Sequence, residues 1–134
     1  AGRLQLEDRH PAWQYKRYHQ IDICLDPFPA TGGTSSCDLL WMGVPLVTLA
    51  GERFASRLGV SLLNAVGHAE WIAADADAYV DIALGLATDV TALDAIRQEM
   101  RPRMEASPLM DAERFAGHFA DALRGMWRDW CAQG

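Results

Sequence analysis

The chain has 134 residues, half of them hydrophobic, which is enough for one domain with a real core, expected to run 1–134, and too few for two. Its net charge of −6, with twelve Lys and Arg scattered along the chain, excludes a nucleic-acid groove, which needs concentrated positive charge to displace counterions from phosphates. No apolar stretch approaches the roughly 20 residues of a membrane helix and no charged-then-apolar signal segment opens the chain, so neither nucleic acid nor membrane is an expected partner and the expected compartment is the cytoplasm.

Strand and helix signals alternate through the first fifty residues. Arg3 to Leu6 reads as a short strand, Pro11 to His19 as a helix with proline in its first turn, and Ile21 to Leu25 as a second strand. Thr34 to Met42 reads as a helix that Gly43 can close, and Pro45 to Leu49 as a buried strand. Continuous apolar strands separated by short helices predict an α/β fold with a parallel sheet covered on both faces. Beyond Glu52 the balance shifts to helix: Glu52 to Ala65, then a short last strand at Trp71 to Ala73, then helices over Asp77 to Ala87 and Thr91 to Arg101. Pro102 should kink or end the second of these, because it lacks an N–H and crowds the preceding turn. Asp111 is a good N-cap for a final helix, with Met110 and Phe115 at staple positions. Phe119, Leu123, Met126 and Trp130 continue one face of it, and such a stripe is expected to pack in the core.

Within this order Asp26 to Gly43, DPFPATGGTSSCDLLWMG, carries the most chemistry. An apolar strand leads through a turn and two glycines into a helix start. Glycines allow close backbone approach to a ligand, and the unpaired N–H groups and positive dipole end of the helix favour a phosphate. Thr34, Ser35 and Ser36 add hydroxyl donors, which suits a diphosphate. The other reading is an ordinary helix start, since Thr and Ser cap helices in any protein. Asp38, one turn on, likewise has two readings: a carboxylate that grips a ribose diol with two hydrogen bonds, or a solvated charge near the helix N-terminus. Cys24, Cys37 and Cys131 are isolated, so neither a disulfide framework nor a zinc site is indicated, and Cys24 and Cys37 read as small core residues. His19, His68 and His118 read as surface or packing histidines.

The run LDPFPATGGTSSCDLLWMGVPLVTLAGERFASRLGVSLL, with GHAEWIA at 67–73 and Ser107-Pro108-Leu109-Met110-Asp111 on to Met126-Trp127, closely resembles the carboxy-terminal catalytic lobe of the O-linked N-acetylglucosamine transferase family, including its bacterial tetratricopeptide-linked members. The rare tokens LWMGVP, FASR and SPL-x-D stand in the family's order, and the likeness covers nearly the whole chain. It implies a Rossmann-like parallel sheet with flanking helices, the C-terminal lobe of a GT-B glycosyltransferase, followed by a helical C-terminal part. It also implies transfer of N-acetylglucosamine from the UDP-sugar to a Ser or Thr hydroxyl with inversion, without a cofactor or required metal. The protein acceptor would be held by an N-terminal lobe and helical repeats outside this chain. The sequence opens at Ala1-Gly2 without a start methionine and is expected to be most of one nucleotide-binding lobe of a larger protein, inactive by itself.

The resemblance assigns roles residue by residue. Gly33, Thr34 and Ser35 fall on the diphosphate-binding loop and helix start, where many members have His, Thr, Thr; Gly33 keeps the backbone N–H but removes a side-chain donor. Asp38 falls on the ribose position. Arg17 falls where a basic residue reaches the pyrophosphate and neutralises charge growing on the UDP leaving group. Gln14 stands where a His is common and Pro11 where animal members carry Lys, with Lys16 and His10 near enough to substitute. Arg9 could offer its backbone to the uracil edge. Glu52, Ser56 and Arg57 lie near the donor pocket in the family, and here a structural role is the first expectation. The last helix of such two-lobed enzymes often crosses back to the other lobe. Two further readings stand beside this one: another nucleotide-sugar transferase of the same architecture, and a non-catalytic interaction module with a degenerate site, to which the departures at Gly33 and Gln14 point.

Overall fold

The computed structural model describes Arg3 and residues 14–133, with the side chain of Gln14 left aside. Nine elements of regular structure follow: α1 (Gln14–Tyr18), β1 (Cys24–Leu25), α2 (Thr34–Trp41), β2 (Leu46–Leu49), α3 (Leu58–Val66), β3 (Ile72–Ala73), α4 (Ala76–Thr88), α5 (Val90–Glu105) and α6 (Ala112–Gln133), with 3-10 turns at Phe54–Ser56 and Ala69–Trp71. The expected first strand falls outside the described residues apart from Arg3, as do Arg9 and the first turn of the expected Pro11 to His19 helix.

The sheet is parallel, in the order β1-β2-β3, with Cys24 opposite Leu46, Leu25 opposite Val47, Thr48 opposite Ile72 and Leu49 opposite Ala73. As the middle strand, β2 is covered on both faces: Leu46, Val47 and Thr48 are wholly buried, which is why it reads as a continuous apolar run without alternation. β1 is shorter than Ile21 to Leu25, because pairing with β2 begins only at Cys24.

The helices pack where apolar residues recur at helical spacing. Leu40 of α2, Leu63 and Val66 of α3, Trp71, and Met100 and Met104 of α5 close around Leu46 as the main core. On its other flank α2 lays Leu39 against Tyr18 of α1 and Val44, so one helix joins two apolar clusters. α2 ends at a left-handed glycine, Gly43 (φ 82°), with the Val44 N–H donating to Leu39 O at 2.9 Å and the Gly43 N–H to Leu40 O at 3.0 Å. α3 ends the same way at Gly67 (φ 78°). From α5, Arg97 reaches back to donate to Tyr18 O (3.1 Å) and Ile21 O (2.9 Å), clamping the turn between α1 and β1.

Four expectations need correction. The helix foreseen over Glu52 to Ala65 is broken into a 3-10 turn and α3. The Ser56 hydroxyl accepts from the Arg53 N–H (3.1 Å) and donates to Arg53 O (2.8 Å), stabilising a tight turn in place of a continuous helix. The next two helices begin one residue earlier than foreseen, at Ala76 and Val90, because Asp75 and Asp89 cap them through the N–H groups of Ala78 (2.8 Å) and Ala92 (2.9 Å). Pro102 does not end α5, which runs on to Glu105; Met100 and Met104, buried on one face either side of it, anchor the last turn in the core.

The fourth correction concerns α6. Asp111 caps it as foreseen, accepting from the Arg114 N–H at 2.9 Å. Its apolar face is not in the core: Phe115, Phe119, Leu123, Met126 and Trp130 are 49–72% exposed, and none of them enters either core cluster. The chain leaves the core at Ser107, buried and donating to Met104 O at 2.7 Å, before α6 begins. Helical period identifies the face; it does not say what covers it. Among the described residues no helix is long and apolar enough to cross a membrane.

Gly43 should tolerate no side chain, since its φ is left-handed and an added Cβ would lie 2.6 Å from Arg97 O. Gly43→Ala is expected to destabilise the chain by about 1–3 kcal/mol, from overpacking and backbone strain together, read as a lowered urea midpoint with an unchanged slope.

Candidate functional site

In an open parallel sheet the crevice lies outside the carboxyl ends of the strands. Here that edge is built by residues 26–33 after β1 and 50–57 after β2, and the two loops are laced together. The Thr31 N–H and hydroxyl both donate to Ala55 O (2.9 and 3.0 Å), and the Gly59 N–H reaches the Thr31 hydroxyl at 3.4 Å.

Asp26 holds the first loop. It is 1% exposed, and each carboxylate oxygen has a donor: the Gly32 N–H on Oδ1 (2.8 Å) and the Thr48 hydroxyl on Oδ2 (2.9 Å). Its own N–H donates to Val47 O (2.9 Å) and its carbonyl accepts from the Tyr79 hydroxyl (2.8 Å). The fit admits no side chain nearby. A Cβ on Gly59 would stand 2.4 Å from the Thr48 hydroxyl oxygen and 2.5 Å from Asp26 Oδ2, and one on Gly32 would stand 2.3 Å from the Ser36 hydroxyl oxygen. Burial pushes the Asp26 carboxyl above its ordinary value, while the bonds from Gly32 and Thr48 pull the other way. The same burial, with the Asp26 charge added, pushes the Cys24 thiol to about 11, so this cysteine stays an un-ionised, half-buried packing group.

Gly33, Thr34 and Ser35 are brought together at the start of α2. Gly33 is the N-cap, with no side-chain cap, and its carbonyl takes the N–H groups of Ser36 and Cys37, both at 3.1 Å. The N–H groups of Thr34 and Ser35 find no acceptor among the described residues, and both side chains are exposed. This is the arrangement that suits an anion: two uncommitted backbone donors at the positive end of a helix. Asp38 follows one turn later, half-buried, on the same helix. Arg17 is half-buried in α1, beside Tyr18, whose ring packs against Leu39 of α2; Gln14 opens α1, and Arg9 lies outside the described residues.

The second loop is held from within. The Arg57 guanidinium donates to Gly51 O (3.0 Å) and the buried Ser56 hydroxyl to Arg53 O (2.8 Å), which fits the structural role expected for these two, whereas Glu52 is exposed and makes no hydrogen bond or ion pair among the described residues. His68 is a packing histidine, stacked on Trp71 (3.8 Å between centroids) with Nδ1 2.7 Å from Glu70 Oε1; His19 and His118 are exposed. Sequence reasoning treated Asp26 only as part of a turn. A carboxylate directly after an apolar strand, followed by proline and a glycine pair, was the signal available for its role.

The sequence profile of glycosyl transferase family 41 matches residues 12–119. Over 114 residues, 85% of this chain and 12% of the relative, the chain is 46% identical to a probable UDP-N-acetylglucosamine–peptide N-acetylglucosaminyltransferase SPINDLY of Oryza sativa subsp. japonica. It is 35% identical over 113 residues to the UDP-N-acetylglucosamine–peptide N-acetylglucosaminyltransferase of Caenorhabditis elegans, covering 84% of this chain and 10% of that one. A mutant Thermobaculum terrenum O-GlcNAc transferase superposes with a TM-score of 0.85 at 38% identity, over 96% of this chain and 25% of the other. The chain therefore spans about an eighth of the length of the SPINDLY relative it matches.

Because the native Asp26 carboxyl is held above the ordinary aspartate value of about 3.9, the folded state binds more protons than the unfolded state between those two values. The native chain should therefore gain stability relative to Asp26→Asn as the pH falls through that window, and lose it again as the pH rises. Urea denaturation of both proteins at pH 7 and at about pH 4, close to the ordinary aspartate value, measures the difference; a gap that does not change over that range contradicts the assignment.

Proposed function

The chain belongs to glycosyl transferase family 41, and from that premise we propose that it is the UDP-sugar-binding lobe of an inverting protein O-glycosyltransferase, which moves N-acetylglucosamine from UDP to a Ser or Thr hydroxyl. The observation that carries the reading is the start of α2, where the Thr34 and Ser35 N–H groups stand uncommitted behind a two-glycine loop at the carboxyl edge of a parallel sheet.

In this reading the diphosphate of UDP sits on the N–H groups of Gly33, Thr34 and Ser35, with the two hydroxyls as further donors. Asp38 accepts both hydroxyls of the ribose. Arg17 lends positive charge to the diphosphate, Gln14 borders it, and the backbone of Arg9 meets the uracil edge. As the bond from the anomeric carbon to the UDP oxygen lengthens, negative charge builds on the leaving diphosphate. Fixed donors aimed there stabilise the transition state more than the ground state. The work assigned to the site is electrostatic and needs no metal. The acceptor hydroxyl would be positioned by parts of the longer polypeptide, and that positioning supplies much of the rate. A cytoplasmic setting, where the UDP-sugar and protein acceptors meet, belongs to the same proposal.

UDP should bind the chain more tightly than GDP does. Asp38→Ala should weaken UDP more than free pyrophosphate, by roughly 1–3 kcal/mol, because only the nucleotide carries the diol. Calorimetry with UDP, GDP and pyrophosphate decides both points; equal, salt-sensitive binding of every diphosphate would reduce the site to a generic anion hole. In the full-length polypeptide, Arg17→Ala should lower kcat with little change in donor KM, and a raised KM with intact kcat would leave Arg17 a ground-state contact only.

A further inference from the structure

We infer that Asp26 is the positioning residue of the proposed diphosphate site: by holding the Gly32 N–H, its buried carboxylate orients the glycine loop so that the first N–H groups of α2 face the crevice. The inference rests on the donor-site reading above and adds to it a residue that touches neither donor nor acceptor.

A buried carboxylate is a poor device for stability alone, since its desolvation offsets most of what its bonds return and an apolar residue of similar volume is often as stable or more so. At Asp26 every polar group is committed, to the loop (Gly32), to β2 (Val47 and Thr48) and to α4 (Tyr79). Three of these four bonds fix Asp26 to the sheet and α4; the fourth passes that rigidity to Gly32. The loop needs such a restraint. Two adjacent glycines leave the backbone more freedom than any other pair, and ordering them at the moment of binding would subtract from affinity. Thr31 is already tied to Ala55, but that tie ends one residue before the glycines. The Gly33 carbonyl is bonded within the start of α2, to the Ser36 and Cys37 N–H groups; among the described residues the Asp26 bond alone ties the pair to the sheet, two residues ahead of Thr34. The close approach that makes the bond possible is itself demanding: Gly32 and Gly59 both lack the room for a Cβ beside this network.

The test compares Asp26→Ala, Asp26→Asn and Asp26→Leu with the unaltered chain, by calorimetry with UDP and by hydrogen exchange. Asp26→Ala should lose about tenfold or more in UDP affinity. Asp26→Asn should stay within about threefold, since its amide oxygen still accepts from Gly32 and its NH2 donates to the Thr48 oxygen. Asp26→Leu fills the volume without a charge, and should fold yet bind UDP as weakly as the alanine variant. In both weak variants the Gly32 amide should exchange fast while the amides of Leu46 to Leu49 stay as slow as in the unaltered chain. Unchanged UDP affinity in Asp26→Leu, or exchange that quickens equally in β2, overturns the inference and leaves the donor-site reading in place. An unaltered chain that binds no UDP overturns the donor-site reading and the inference with it.

Discussion

The fold turns on the cost of burying one carboxylate. Asp26 sits where β1 stops, out of contact with water, and that is tolerable only because the Gly32 N–H and the Thr48 hydroxyl each donate to one of its oxygens. The same bonds resolve a second problem. Thr48 is a polar residue in the middle strand of a sheet covered on both faces, and without Asp26 its hydroxyl would be buried unpaired. Strand, loop and helix start thus satisfy one another, and no buried side-chain polar atom among the described residues is left without a partner.

Close approach follows from that arrangement. Gly59 lets α3 pass within contact of Thr48 and Asp26, and Gly32 lets the loop fold over Ser36, so both loops at the carboxyl edge meet at Thr31 and Ala55. α2 then serves both stability and the site. Its second turn carries Leu39 and Leu40 into separate apolar clusters, which hold it rigid, while Thr34 and Ser35 at its start stay exposed with their backbone donors uncommitted. A helix held by its second turn can present its N-terminus without reorganisation, as the proposed diphosphate site requires.

The alternation of apolar strands and short helices made the parallel sheet legible, and the glycine pair with Thr34 and Ser35 marked the candidate site, because periodicity and backbone freedom are local properties of a sequence. Gly43 as a helix end and Asp111 as a cap were legible for the same reason. The break before α3 was not. It depends on the Ser56 hydroxyl closing a turn on Arg53, a competition with the helix that composition does not reveal. Nor was the fate of the α6 face, since a stripe at helical spacing has the same sequence whether a core covers it or not.

By itself the sequence determined the α/β class, the order of most elements, the place of the candidate site and, through the run from Leu25 to Leu63, the family. Tertiary structure decided which polar groups meet: Asp26 with Gly32, Thr48 and Tyr79, across separations of 6, 22 and 53 residues. It also decided that α5 runs through Pro102, held by Met100 and Met104, and that α6 carries its aromatic face outward. The division has one physical cause. Propensity, capping and periodicity act within a few residues and are written in the local sequence, whereas desolvation and hydrogen-bond satisfaction are set by whichever groups the whole chain brings together.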